Sequence, residues 1–157
     1  MELKKNYSAR EVAALTGLTA RQLQWWDASG LLSPTVAPRR TEAGGYTERR
    51  YSPVELIELM VLADLRRHGL SVRSIRRLLA TLRDRFDARL FDTIGDGGAL
   101  TLLTDGSDVY GRTRTGELFN LLKAPDQPLL EVGAEPKLRQ LRARAKRRRR
   151  RAAARRA

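Results

Sequence analysis

Residues 52–69, "SPVELIELMVLADLRRHG", constrain the fold more than any other stretch of this chain. Ser52 is a helix cap, Glu55 stands three residues on, and Pro53 takes the first helical position, where its missing N–H does no harm. Apolar residues then spread over most of the circumference until Gly69 stops the helix. A helix this widely apolar belongs at the centre of a core, with other elements packed around it.

The preceding residues supply those elements. "SARE" at Ser8–Glu11 is a capping-box pattern, and Val12, Ala13 and Leu15 give the following helix an apolar face. "TGLT" breaks it: Gly17 suits the turn and Thr19 caps a second helix, "ARQLQWWDAS", which stops at Gly30. Two short helices joined by a tight glycine turn read as a helix-turn-helix. The second holds the only two tryptophans, side by side, and neighbours on a helix point about 100° apart. Leu23 and Trp26 share a face and are expected inside. Trp25 lies with Arg21 and Gln22 on the neighbouring face and is expected outside.

Between Gly30 and Ser52, Pro34 and Pro38 exclude helix and Gly44-Gly45 marks a turn. The flanks, "TVAPRR" and "GYTERRY", pair as a short ribbon. Four arginines on its arms, Arg39, Arg40, Arg49 and Arg50, favour a wing that touches a polyanion over a plain polar loop.

Ser71 caps a fourth helix. Val72, Ile75, Leu79, Leu82, Phe86 and Leu90 form a stripe that carries it to about residue 92, either as core or as a dimer seam. "IGDGG" then breaks the chain near residue 95. Beyond it, "ALTLLTDG" and "SDVYGRTR" read as strands, "TGELFNLLKA" as a short helix and "PLLEVG" as a last strand. The expected organisation is a head over 1–80, a connecting or dimerisation helix over 81–95, a β-β-α-β unit over 96–136 and a tail over 137–157. The fold class expected is mainly α.

Charge is distributed unevenly. The net charge is +13, and residues 137–157 hold twelve lysines and arginines with no acid, whereas 81–136 are net acidic. Such a block is a solvated tail or a polyanion contact, and nucleic acid is the commonest intracellular polyanion. There is no cysteine, which removes disulfides and thiolate metal sites, and no apolar run approaches a membrane span. The first ten residues lack an apolar signal-peptide core. A cytoplasmic, nucleoid-associated location is expected.

With these elements in order, the first 80 residues resemble the MerR family of transcriptional regulators. "YSAREVAALTGLTARQLQWWDASGLLSP" is similar to the family's first two helices and their exit. "GGYTERRYSP" is similar to the end of its wing, with Arg49, Arg50 and Tyr51 at the family's Arg-x-Tyr. "VELIELMVLADLRRHGLSVRSIRRLL" is similar to its last two head helices. Two departures stand out. Gln24, Trp25 and Trp26 occupy the place of an arginine and two tyrosines, so a charge the family often sets on DNA is missing. The wing is also longer, with "RTEAGG" before Tyr46. The resemblance implies a winged helix-turn-helix that binds double-stranded promoter DNA as a homodimer and distorts it for RNA polymerase. It leaves open a small-molecule effector. Metal-sensing members use cysteines, which this chain lacks.

Thr19, Arg21, Gln22 and Gln24 are the candidates for base or phosphate contact in the major groove, with Gln22 or Gln24 on adenine and Arg21 on guanine or phosphate. The family sets a tyrosine against the DNA backbone at the position of Trp25. Arg39, Arg40, Tyr46, Arg49, Arg50 and Tyr51 complete the candidate set on the wing. Other chemistry finds little purchase. His68, the single histidine, ends a helix where it favours the dipole. Asp105 and Asp108 flank a turn, and "GDGG" is no phosphate loop. No enzyme activity, metal or cofactor is expected. Two rivals remain: an architectural or excisionase-like accessory protein, and an RNA- or ribosome-associated protein acting through its arginine-rich tail.

Overall fold

A computed structural model describes residues 4–40, 47–95, 97–129, 138–141 and 143. The chain begins with a short strand, β1 (Tyr7–Ser8), and the two helices of the helix-turn-helix, α1 (Ala9–Thr16) and α2 (Ala20–Ala28). The ribbon strands β2 (Val36–Arg40) and β3 (Thr47–Tyr51) follow, then α3 (Pro53–Arg67) and α4 (Val72–Phe86). The helix starts are set by local chemistry. Ser8 with Glu11, and Ser52 with Glu55, form reciprocal capping boxes, while Gly17, in the left-handed region at φ 81°, closes α1. The ribbon forms as expected and is joined by β1, giving an antiparallel sheet in the order β1-β3-β2.

α3 is the central helix. Leu56, Leu59, Met60, Val61, Leu62, Ala63 and Leu65 are all buried, around its whole circumference. Full burial of each large aliphatic side chain stabilises by roughly 1.5–3 kcal/mol. The helix-turn-helix is held to this centre at its ends as well as its core. Arg67 at the end of α3 donates to the Thr16 carbonyl at 3.1 Å, and Arg76 of α4 donates to the Ser29 carbonyl at 3.2 Å. Both bonds satisfy carbonyls at helix C-termini, which have no partner within their own helices.

The second half differs from the expectation in three ways. First, α4 ends at Phe86, short of residue 92. Asp87 turns left-handed (φ 48°) and the Ala88 N–H closes on the Leu82 carbonyl at 3.0 Å. A 3-10 turn, Leu90–Thr93, then brings Leu90 into the core. The apolar spacing continues through the break because the turn rephases the chain, so spacing alone hides the helix end. What holds the break is Glu58, buried on α3, whose carboxylate accepts two bonds from Arg89 and one from the Phe91 N–H.

Second, "TGELFNLLKA" contains no helix. The chain forms β4 (Leu100–Thr104), β5 (Val109–Thr113), β6 (Leu118–Asn120) and β7 (Ala124–Pro128), each antiparallel to the one before. Asn120 Oδ1 accepts the N–H groups of Leu122 and Lys123 at 3.2 and 3.1 Å, which makes the turn where a helix was expected. Pro125 and Pro128 sit on edge strand β7, where an absent N–H is tolerated. Of the expected strand "PLLEVG", Pro128 ends β7, Leu129 follows it, and the remainder lies outside the described residues.

Third, a short strand β8 (Arg139–Gln140) pairs with β4 from within the segment expected to be tail, completing a sheet in the order β7-β6-β5-β4-β8. Leu141, only 4% exposed, is part of the core, and its N–H donates to the Leu102 carbonyl at 3.2 Å. Residues 142 and 144–157 lie outside the described residues. The chain is therefore mixed α/β rather than mainly α.

The two sheets and the helices share one core, which runs from Tyr7 through α3 and α4 to Leu100, Leu102, Val109, Leu121 and Leu141. The stripe on α4 belongs to it. Ile75 and Leu82 are fully buried, and Phe86 meets Phe119 of β6 edge to face at 5.7 Å. Among the described residues no helix is long and apolar enough to cross a membrane.

Candidate nucleic-acid interface

The residues that α2 turns outward follow from its packing. Leu23 and Trp26 are buried, both at 2% exposure, and fix the inward face. One hundred degrees per residue then places Arg21, Gln24, Trp25 and Ala28 on the opposite face, and all four are exposed. Trp25 is 53% exposed, an unusual state for so large an apolar ring. The adjacent tryptophans are thus divided as the helical period predicts, one in the core and one outside. The outward face is Arg21, Gln24, Trp25 and Ala28 rather than Arg21, Gln22 and Trp25. Together with Thr19 and Gln22 these residues line an open concavity of about 620 Å³.

Thr19 and Gln22 are engaged with each other at the start of α2. Thr19 Oγ1 accepts the Gln22 N–H at 3.0 Å, and Gln22 Oε1 accepts the Thr19 N–H at 2.8 Å. This reciprocal cap is legible in the spacing Thr-x-x-Gln, so the sequence carried the signal.

Of the wing arginines, Arg49 and Arg50 both have partners within the protein. Arg49 Nε donates to Asp27 Oδ2 of α2 at 2.7 Å. That bond is the main reason the Asp27 carboxyl lies below its ordinary range. Arg50, with a side chain 15% exposed, donates to Asn6 Oδ1 and sits 3.7 Å from Glu48. Tyr51 is fully buried against Tyr7, its partner across the β1–β3 pair, and burial pushes its phenol up. Its hydroxyl has no partner among the described residues. In this structure Tyr51 is a core residue and Arg50 is bonded to Asn6, so both tie β3 to the segment that begins the chain. Their residue types suggested a contact. The partners that occupy them, Asn6 and Tyr7, come from about 44 residues earlier in the chain, and no local pattern announces them. Arg39 and Arg40 lie on β2 opposite Glu48 and Thr47. Their side chains, and the whole of Tyr46, lie outside the described residues.

The remaining polar groups have structural partners. His68 Nδ1 lies 2.8 Å from the Asp64 carbonyl and Nε2 lies 2.7 Å from Arg139 of β8, so the ring joins the end of α3 to the second sheet. Asp105 accepts the N–H groups of Ser107 and Asp108 in its turn, which holds its carboxyl below the usual range. Among the described residues no three His, Cys, Asp or Glu side chains are grouped to hold a metal ion.

A helix-turn-helix with a β-ribbon behind it, and an exposed tryptophan, arginine and glutamine on its second helix, defines a winged helix-turn-helix domain. Residues 7–82 match the model of MerR HTH family regulatory proteins, so this head is a MerR-type helix-turn-helix domain. It is also 30% identical over 117 residues to uncharacterized HTH-type transcriptional regulators of Mycobacterium bovis and of two strains of Mycobacterium tuberculosis. That match covers 74% of this chain and 48% of each relative, so the chain spans about half their length. A match of that length cannot fit inside the head and takes in β4 and β5 wherever it starts.

Proposed function

We propose that this protein is a transcriptional regulator that binds double-stranded promoter DNA as a homodimer through α2 and the wing. The observation that carries this reading is the outward face of α2, where Arg21, Gln24 and an exposed Trp25 lie together beside an open concavity. The major groove is wide enough to admit a helix, and these side chains suit base edges and phosphates. The indole N–H of Trp25 is a donor for a phosphate oxygen while its ring covers sugar. Arg39 and Arg40 supply wing contacts to flanking phosphates, and the basic tail adds affinity without sequence preference. The MerR-type head and the HTH-type regulators that the chain resembles support the regulatory role. Dimerisation rests on the family resemblance. The stripe from Val72 to Leu90 packs on the core through Ile75, Leu82 and Leu90, while Val72, Leu79 and Phe86 are only partly buried.

Selection of bound sequences from a random duplex pool, followed by footprinting, tests the reading. A two-fold repeated site protected at a few promoters is expected. Broad, sequence-independent coverage would replace it with an architectural role.

A further inference from the structure

The two glutamines of α2 are in different chemical states. Gln24 is exposed, and its side-chain amide has no partner among the described residues, so both its acceptor and its donor are available. Gln22 is not equivalent. Its Oε1 accepts the Thr19 N–H at 2.8 Å, while its Nε2 has no protein partner among the described residues. The same side chain lines the concavity beside Arg21 and Trp25. A glutamine pairs with adenine by using both amide atoms at once, accepting from N6–H and donating to N7. Gln22 holds its oxygen on the Thr19 N–H, so the group it turns outward is the Nε2 donor.

Resting on the proposed DNA-binding role of α2, we infer that Gln22 reads a base that offers an acceptor to the major groove and rejects cytosine. It donates from Nε2 to guanine O6, thymine O4 or a purine N7, while its oxygen stays on the Thr19 N–H. The cap makes this a specificity device. It fixes the plane of the amide before DNA arrives, so the outward group is always the donor. A fixed donor suits guanine, thymine and adenine, each of which has an acceptor in the major groove, and rejects cytosine, whose N4 amino group is itself a donor. Gln24, free to present both atoms, keeps the adenine role.

The substitution Gln22→Glu separates the two functions. Glutamate still accepts the Thr19 N–H and is a good third residue for a capped helix, so the melting temperature should hold. It has no donor, and a carboxylate accepts from cytosine N4. Parent and variant full-length proteins are put through the same random-duplex selection. The parent is expected to exclude cytosine at one position of each half-site. The variant should lose that discrimination about tenfold and accept cytosine there, with the other positions unchanged. A parent site whose every position admits cytosine, or the same selected sequence in the variant, overturns the inference. So does a uniform loss of affinity for every duplex, because Nε2 would then be on phosphate. A parent that selects no sequence fails the functional reading itself, which distinguishes the two failures.

Discussion

Asp27, on the second helix of the helix-turn-helix, accepts the Nε–H of Arg49, on the wing strand β3, at 2.7 Å. One ion pair therefore sets the wing against the helix that carries Arg21, Gln24 and Trp25. Both side chains are partly exposed, at 29% and 39%, so the pair is worth only about 0.2–1 kcal/mol of stability. The pair also ties the wing to α2, the two elements proposed to meet DNA. Asp27→Asn should lower stability by no more than that range. It should weaken binding to the selected site more than to random duplex, measured by titration on both.

The same pair has a pH signature. The folded-state carboxyl of Asp27 is depressed below its ordinary value of 3.8, chiefly by the Arg49 bond. A depressed carboxyl contributes stability that is complete above the ordinary value and is lost as pH falls through the folded one. Parent stability should therefore fall more steeply than that of Asp27→Asn as pH drops below 3.8 in denaturant melts. Parallel curves would show that the pair is not formed in solution.

The two tryptophans should differ in kind. Trp26→Ala removes a buried ring and is expected to cost roughly 3–5 kcal/mol of stability. Trp25→Ala removes an exposed one, so melting should hardly change while DNA affinity falls by about 1–2 kcal/mol, the scale of a charge-assisted hydrogen bond with its contact. A Trp25→Ala protein that binds as tightly as the parent would take that ring out of the interface.

The break after α4 depends on Glu58 and Arg89. Glu58 is buried, and the Arg89 side chain is about half exposed. The Glu58 bonds also raise the Arg89 guanidinium further above its ordinary range. Arg89→Ala leaves a buried carboxylate with one remaining donor, the Phe91 N–H, at a cost of about 1–3 kcal/mol. Glu58→Gln removes the charge, keeps an acceptor and frees an arginine that water can reach, so it should cost less. Chemical denaturation of the two variants ranks them, and the reverse order would mean that the clip does not hold the break.

Two truncations separate the tail from its root. Ending the chain after Ala143 removes Arg144, Lys146 and the arginines beyond them. It should flatten the salt dependence of DNA binding by about 0.9 for each phosphate that the tail neutralises, without lowering the melting temperature. Ending it before Leu138 also removes β8 and the buried Leu141, and should cost a further 2–5 kcal/mol of stability. Equal melting temperatures for the two would place Leu141 outside the core.

Much of the head was legible in the sequence because its determinants are local. A helix start depends on a cap and the residue three places on, and Ser8–Glu11 and Ser52–Glu55 form the bonds their spacing announces. The division between Trp25 and Trp26 follows from the helical period and one neighbouring leucine. What the sequence left open depended on partners far along the chain. Whether Arg49 and Arg50 meet phosphate or protein turns on Asp27 and Asn6, 22 and 44 residues away. The end of α4 turns on Glu58, 31 residues before the arginine it holds. "TGELFNLLKA" has residues that suit a helix, yet an antiparallel neighbour, β5, and the Phe86 ring waiting for Phe119 make it a strand and a turn. Periodicity records which side chains seek burial, but only the assembled core decides which surface buries them, because a strand's hydrogen bonds and a buried charge's partner come from elsewhere in the chain.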